Sequence, residues 1–495
     1  MKLFMFSVLL FSCVILAQPA DIDPLYHTYD EVLAEVEILQ SGYPSICHIE
    51  TLALSTVDSL PIIAVKLSDN ASEYELESVV FIVGGQHANE PHGTEVVMWL
   101  LDYLTSNYGT DPDVTKWLDS LELWFVPCDN PDGRQIVMSD HPAHTLWWRK
   151  TKRDNDENGI TEFPIDGVDP NRNYDYRWDE YDSTDFESVN YKGPYPWSEN
   201  ASVIVRDFVD HYRPTAVFDL HSPDSCGGNK LWFSWYDPDI GNYHMESSIH
   251  YYRVAQELAE NTETEVDGEY YEDLASYNER PKLENWVYWF TGTCSILMEI
   301  TNQCFWHADT IDTINARVGR GFFYIFDRML ESGLVIDVFD SLTGEPIRAE
   351  IIVEAVTDTT FPTRWTAHNG RFHRFLRADN YNVSVRDYSR EKVFTDVAIE
   401  AGHNTYIHVE FDRTGISETS SNNKDSALMV YFDRIICNST IGKLEIFDIG
   451  GRKVFDTNIT GNFELDAGDI LPAGVYFTRL KTPDGTFCRK FISLK

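Results

Sequence analysis

Basic residues are scarce in this chain: 39 Lys and Arg stand against 80 Asp and Glu, for a formal charge of -41. A chain so poor in cations excludes nucleic acid as its partner, because phosphate backbones are held by clustered Lys and Arg. The charge does not specify a substrate, since net charge speaks to solubility and association. Long apolar runs are missing too, and no segment suits a transmembrane helix. The one apolar stretch at the N-terminus, Leu3 to Leu16, follows Lys2 and is too short for a comfortable span. With Ala17, Gln18, Pro19 and Ala20 behind it, residues 1–20 read as a signal peptide. Few residues then precede the first helical pattern, which predicts no large inhibitory pro-domain. Cysteine is thin, at 8 in 495 residues, with no C-x-x-C spacing. That excludes a zinc ribbon and a disulfide scaffold. Loss of Cys13 with the signal peptide leaves an odd number. Cys294–Cys304 and Cys437–Cys488 are the bridges considered, with buried free thiols as the alternative.

What is present is a large apolar content, 43% hydrophobic and 14% aromatic, which excludes a disordered chain. Through residues 21–332, short apolar strands alternate with helical patterns. Ser78–Gly85, Leu121–Val126, Thr215–Leu220 and Cys294–Ile300 read as buried strands. Segments 30–39, 93–106, 198–212, 246–262 and 311–331 read as helices. Asn130-Pro131-Asp132-Gly133 reads as a turn. The pattern predicts an α/β fold, a mixed central sheet with helices on both faces. From residue 333 to 412, Val, Ile and Thr alternate with polar residues between Gly and Pro turns, which predicts a small all-β sandwich. Residues 413–427 are polar and aperiodic, a linker, and 428–495 resume short strands as a second small all-β sandwich.

The chemistry-bearing residues cluster at strand ends. His87 and Glu90, in GGQHANEP, follow the first predicted central strand, where α/β folds place ligands. One imidazole and one carboxylate three residues apart can reach a single zinc ion, and alone they would be an ordinary surface pair. His221 also ends an apolar strand. A His, His, Glu set leaves the fourth position of zinc open for water, the arrangement of a catalytic site. Glu299 is an acid inside the apolar run Met298-Glu299-Ile300; such a carboxylate needs a partner or a function, and general base is the function favoured. Between them, Asn171 and Arg172 offer donors suited to a carboxylate. Trp147–Arg153 gathers cations in an otherwise acidic chain. A second cation site is read at Asp154, Asp156 and Asn158, where alternating oxygens before Gly159 resemble half a calcium loop; an acidic solvated turn is the equal alternative.

Taken together, H-x-x-E, NPDG, W-R-K, D-x-N-R-N, a late His and an acid on a strand resemble the M14 zinc metallocarboxypeptidases over roughly residues 26–330. That resemblance implies that His87, Glu90 and His221 bind Zn2+, that Asp169 fixes His87, and that Glu299 activates water. It implies that Asn171 and Arg172 hold the C-terminal carboxylate of a peptide or protein substrate. Trp286 lies 13 residues before Glu299 and Tyr277 lies 9 before Trp286, which makes Tyr277 the tyrosine that closes over the bound C-terminus. Glu284, two residues before Trp286, stands where relatives carry a specificity residue, and implies a preference for basic C-terminal residues. Two departures stand out. Asn89 occupies a place where many relatives have Arg, which with residues 333–412 resembles the regulatory branch and its transthyretin-like domain. Lys152 stands where the W-R-K-x-R segment has its oxyanion-binding Arg, so Lys152 or Arg149 (or Arg153) is expected in that role. The last 70 or so residues resemble the C-terminal sorting domain of the type IX secretion system, implying a secreted or cell-surface protein that meets secretion machinery. The alternatives are a zinc amidase acting on cell-wall peptides and a non-catalytic binding protein on a peptidase scaffold.

Overall fold

The computed structural model describes residues 26–139, 146–222, 228–237, 242–243, 248–277, 280–303, 308–354, 356–357, 361–387, 390–412, 428–431, 434–448, 452–466, 470–472, 474–483 and 485–493. The segments expected to be a signal peptide, 1–20, and a linker, 413–427, fall outside them. The chain divides into two units, Met1–Thr414 and Gly415–Lys495.

The first unit opens with α1 (Tyr29–Gly42), the hairpin β1 (Cys47–Leu54) and β2 (Pro61–Leu67), then β3 (Ser78–Gly84), α2 (His92–Asn107), α3 (Pro112–Leu118), β4 (Leu121–Val126) and α4 (Pro131–Val137). It continues through α5 (Asn200–Tyr212), β5 (Ala216–His221), β6 (Lys230–Asp237), β7 (Asn242–Tyr243), α6 (Ser248–Asn261), β8 (Glu272–Tyr277), α7 (Leu283–Thr291), β9 (Cys294–Glu299) and α8 (Ala308–Glu331). Local chemistry sets several ends. Thr28 caps α1 through Glu31 N, and the Glu31 side chain returns the bond, a complete capping box. The expected turn at Asn130–Gly133 is instead the start of α4: Asn130 Oδ1 accepts from Gly133 N at 3.0 Å and Pro131 occupies the first helical position. The signals for a turn and for a capped helix are the same residues, and only the following chain separates them.

The strands hydrogen-bond in the order β1-β2-β4-β3-β5-β9-β6-β7, with β8 on β6. β4, β3, β5 and β9 run parallel, while β1, β2, β6 and β7 add antiparallel pairs, so the sheet is mixed. Every residue of β3, β4 and β5 is buried, as expected of strands covered on both faces. Helix α2 comes very close to β5: a Cβ at Gly93 would lie 2.5 Å from Leu220 O, so only glycine fits there. Parallel strands bring their C-terminal ends to one edge. His221 pairs with Glu299 across β5 and β9, and Gly84, at the end of β3, pairs with Leu220.

α8 runs directly into β10 (Ser332–Asp340), which with β11 (Glu350–Val353), β12 (Arg371–Arg374), β13 (Asp379–Asp387), β14 (Arg390–Ile399) and β15 (His403–Phe411) makes two three-stranded sheets, β12-β10-β15 and β11-β13-β14. Leu334, Ile336, Val338, Ile351, Val383, Val385 and Val409 fill the space between them. Four histidines stand on the seam between this sandwich and the larger body. His373 Nδ1 lies 2.7 Å from Ser78 Oγ, His250 Nδ1 accepts from Arg377 N at 3.1 Å, and the rings of His211 and His368 stack at 3.9 Å.

The second unit holds β16 (Leu428–Tyr431), β17 (Arg434–Asp448), β18 (Lys453–Asp466), β19 (Gly474–Thr482) and β20 (Gly485–Ser493). It is all-β, and its strands hydrogen-bond as one five-stranded sheet around a core of Ile435, Leu444, Ile446, Ile459 and Leu480. Cys47, Cys128 and Cys294 are free and buried, so the Cys294–Cys304 bridge is not formed: Cys294 is a small apolar residue opening a core strand. The side chains of Cys437 and Cys488 lie outside the description.

Candidate active site

Three of the central parallel strands bring functional groups to the same edge of the sheet. β3 ends at Gly84, and the loop after it carries His87 and Glu90; β5 ends in His221 and β9 in Glu299. His87 Nδ1 lies 3.0 Å from Glu90 Oε1, His221 Nδ1 lies 2.8 Å from Glu90 Oε2, and the two Nδ1 atoms are 2.8 Å apart. All three residues are buried.

The far side of each ring decides what this means. His87 Nε2 is 3.0 Å from Asp169 Oδ1, and His221 Nε2 is 2.8 Å from Asp219 Oδ2. A carboxylate accepts only, so each Nε2 carries the ring proton and each Nδ1 presents a lone pair. Two lone pairs 2.8 Å apart beside a carboxylate repel unless a cation lies between them. Burial works against charge on His221, but Asp219 and Glu90 outweigh it and push its pKa well above the ordinary value. The surroundings therefore favour positive charge at this point. Two imidazole nitrogens and one carboxylate, all within 4.8 Å of one another, are a donor set that fits zinc.

Around the donors, Arg149 donates from Nη1 to Glu90 Oε1 at 2.6 Å and from Nε to Asp169 Oδ2 at 3.2 Å. Burial raises the pKa of Asp169, but Arg149, Arg172 and His87 together hold it well below the usual range. Glu299 keeps Oε2 buried without a hydrogen-bond partner among the described residues. Burial, and then the charge of Glu90, push its pKa up to about 7. Asp129, just beyond β4, is fully buried with both oxygens unpartnered among the described residues. Burial and then the charge of Asp219 raise its pKa well above the ordinary value.

Not every expected residue arrives here. Lys152 points away, with Nζ 2.6 Å from Asp58 Oδ2, and Arg153 is held by Glu199 at 2.6 Å. The expectation for Lys152 is therefore corrected: of the three basic residues, the structure brings Arg149 to the site. Asn171 is buried, with Nδ2 3.3 Å from Asp219 Oδ2 and Oδ1 accepting from Leu283 N at 2.8 Å. Arg172 donates to Tyr181 Oη, Asn171 O and Asn190 Oδ1. Tyr277 ends β8, and its side chain lies outside the description. Glu284 is fully buried, with Oε1 3.2 Å from Lys282 Nζ.

The acidic loop after Arg153 folds differently from a calcium loop. Asn158 is not placed as a ligand, because its Nδ2 donates to Asp156 and Glu162 and its Oδ1 accepts from Ile160 N. The third carboxylate beside Asp154 and Asp156 is Asp166, whose oxygens accept from Asn155 N and Glu162 N. These bonds close the loop with protein donors, and calcium is not assigned there. Asp219 and Lys282 went unread in the sequence as site residues. The signal for Asp219 was present: an acid two residues before His221 on a strand otherwise apolar shares a face with it.

Residues 32–317 match the family model described as zinc carboxypeptidase, and residues 422–494 match the secretion system C-terminal sorting domain. Carboxypeptidase B of Astacus astacus is 31% identical over 188 residues, 38% of this chain and 57% of the relative. Carboxypeptidase A2 of Rattus norvegicus is 29% identical over 199 residues, 40% of this chain and 44% of the relative. A protein of Saccharomyces cerevisiae named as an inactive metallocarboxypeptidase is 28% identical over 203 residues, 40% of this chain and 44% of the relative. The chain thus spans about half the length of these curated relatives. In fold, it is similar to carboxypeptidase A from Helicoverpa armigera at TM-score 0.51 and 17% identity, over 61% of this chain and 73% of the other. Bovine thrombin-activatable fibrinolysis inhibitor, solved with a tick carboxypeptidase inhibitor, aligns at TM-score 0.51 and 20% identity, over 61% of this chain and 97% of the other.

Proposed function

The chain belongs to the zinc carboxypeptidase family, and on that premise we propose that it is a zinc-dependent carboxypeptidase that removes residues from the C-termini of peptides or proteins. The sorting domain marks it as secreted or held at the cell surface. Residues 1–20 serve as its signal peptide, and 333–412 as a transthyretin-like accessory domain. The observation that carries the reading is the convergence of His87 Nδ1, Glu90 and His221 Nδ1, each ring backed by a carboxylate, beside an acid with an unpartnered oxygen.

His87, Glu90 and His221 would hold the zinc. When bound, the ion polarises the scissile carbonyl and brings the pKa of a bound water down to about 7. Glu299 takes the proton of the attacking water and later delivers it to the leaving amine. Arg149, already aimed at Glu90, faces the oxygen that gains charge, a role worth about 3 kcal/mol per donor. Arg172, with Asn171 beside it, is the residue for the substrate carboxylate. Its donors now rest on Tyr181, Asn171 O and Asn190, so a substrate exchanges with some of these partners. Tyr277 closes over the bound end.

Basic selectivity rests on Glu284, whose charge is already met by Lys282. Peptides ending in Lys or Arg, in Phe or Leu, and in Asp or Glu decide it: faster release of Lys and Arg supports Glu284 as the selector, and faster release of any other class removes it. One similar protein is named as inactive, so hydrolysis itself is the first measurement. The wild-type chain should cleave such peptides and stop on addition of a chelator. Glu299→Gln should lower kcat by about 10²–10⁴-fold while zinc content stays at that of the wild type. Turnover unchanged in Glu299→Gln would remove it as the base.

A further inference from the structure

We infer that Asp219 is a positioning residue for the metal, acting through His221, so that both imidazoles of the site are carboxylate-anchored. This rests on the zinc reading above and deepens it. In β5, Val217, Asp219 and His221 lie on one face, because strand side chains alternate. The i, i+2 spacing lets the carboxylate reach back along the strand to the ring, and Oδ2 meets Nε2 at 2.8 Å.

Packing alone does not account for an acid here. Asp219 is 0% exposed in a strand whose every residue is buried. An ionised carboxylate in such a place costs several kcal/mol unless hydrogen-bonded, and an aliphatic residue would suit the strand better. Its Oδ1 has no partner among the described residues. Its Oδ2 has two, the His221 ring and Asn171 Nδ2 at 3.3 Å. Asn171 is itself held through Oδ1 by Leu283 N, and its Nδ2 lies 3.3 Å from both Asp219 Oδ2 and His221 Nε2, so the amide packs against the acid and the ring together.

Three consequences follow for His221. The ring proton is confined to Nε2, leaving the Nδ1 lone pair free. Ring rotation is fixed by a bond on the side away from the donors. The nitrogen facing the metal becomes more basic, as outer carboxylates make it. Asp169 does the same for His87 from a separate loop. The single turn Pro170–Arg172 joins the two systems, since Asn171 N donates to Asp169 Oδ1 while its side chain meets Asp219.

The test reads metal binding, not turnover. Zinc-loaded full-length wild type, Asp219→Ala and Asp219→Asn are challenged with a competing chelator, with His221→Ala as the ligand-loss control. The visible spectrum of the cobalt-substituted forms is recorded alongside. Asp219→Ala is expected to bind zinc about 10–100-fold more weakly, Asp219→Asn is expected to lose less, and both should alter the cobalt bands. Where Asp219→Ala fails to fold, the near-isosteric Asp219→Asn decides. Zinc affinity of the folded variants within twofold of wild type, with an unchanged cobalt spectrum, overturns the inference and leaves the zinc reading standing. A wild-type chain that takes up no zinc overturns both.

Discussion

Arg149 and Lys152 carry the same charge three residues apart, yet only one can act at the site. Arg149 reaches Glu90 and Asp169, whereas Lys152 is spent on Asp58 at a partly exposed position. Arg149→Met is therefore expected to lower kcat by about 10²–10³-fold, the loss typical of one oxyanion donor. Lys152→Ala should change it by less than about threefold, since it breaks a surface pair of small worth. Steady-state kinetics on one peptide substrate compare the two, and a larger loss in Lys152→Ala would return the oxyanion role to it. His27 makes a different point. Burial disfavours its charge, but hydrogen bonds to Glu35 and Glu95 prevail and raise its pKa to about 10. Its contribution to stability is full below the ordinary value of 6.5 and fades as pH rises through about 10. Thermal melts should show His27→Gln costing stability at pH 6 and little near pH 11; an equal cost at both would refute the ion-pair account.

The central strands and α2 are coupled through contacts that leave no room for error. Gly93 sits in α2 with Leu220 O where its Cβ would be, and Leu220 lies between Asp219 and His221. Gly93→Ala gains helix propensity but must push α2 from β5. Overpacking of this kind costs about 1–3 kcal/mol, more than the roughly 1 kcal/mol that alanine returns in a helix. The expected result is a lower melting temperature together with weaker zinc retention, measured on the same preparation. A variant as stable as the wild type would show that the helix shifts freely. Recognition of elements followed the same physics. The buried strands at 78–84, 121–126 and 294–299 were legible because continuous apolar runs ended in glycine, proline or an acid. α4 and α7 were not, because α4 begins on turn residues and α7 is short and aromatic-rich.

Across the first unit, the seam between the larger body and the β-sandwich is rich in histidines held neutral. Burial, then Arg371 and Arg328, hold His373 down to about 3; burial, then Arg374 and Arg377, do the same for His250. Burial and the facing His368 ring hold His211 at about 4, against Asp210, which favours its charge. Their ordinary value is 6.5, so between there and about 3–4 the unfolded chain binds more protons and stability falls with pH. For His373 the loss at pH 5 is on the order of 1–2 kcal/mol. His373→Gln keeps a polar partner for Ser78 and cannot titrate. Its melting temperature should drop less than that of the wild type between pH 7 and pH 5. Parallel curves would show that acid acts elsewhere in the molecule.

Residue type, spacing and periodicity were enough to read the α/β core, the β-rich C-terminal part, and the strand-end positions of His87, Glu90, His221 and Glu299, because strand ends and buried acids leave marks along a linear chain. Which cation faces the metal donors, that Asn158 is tied up in its own turn, that Lys282 meets Glu284, and that Asp219 backs His221 all required the folded chain. Those are matters of where side chains point once parallel strands align their ends. Such directions depend on contacts between segments far apart in sequence, and no local pattern encodes them.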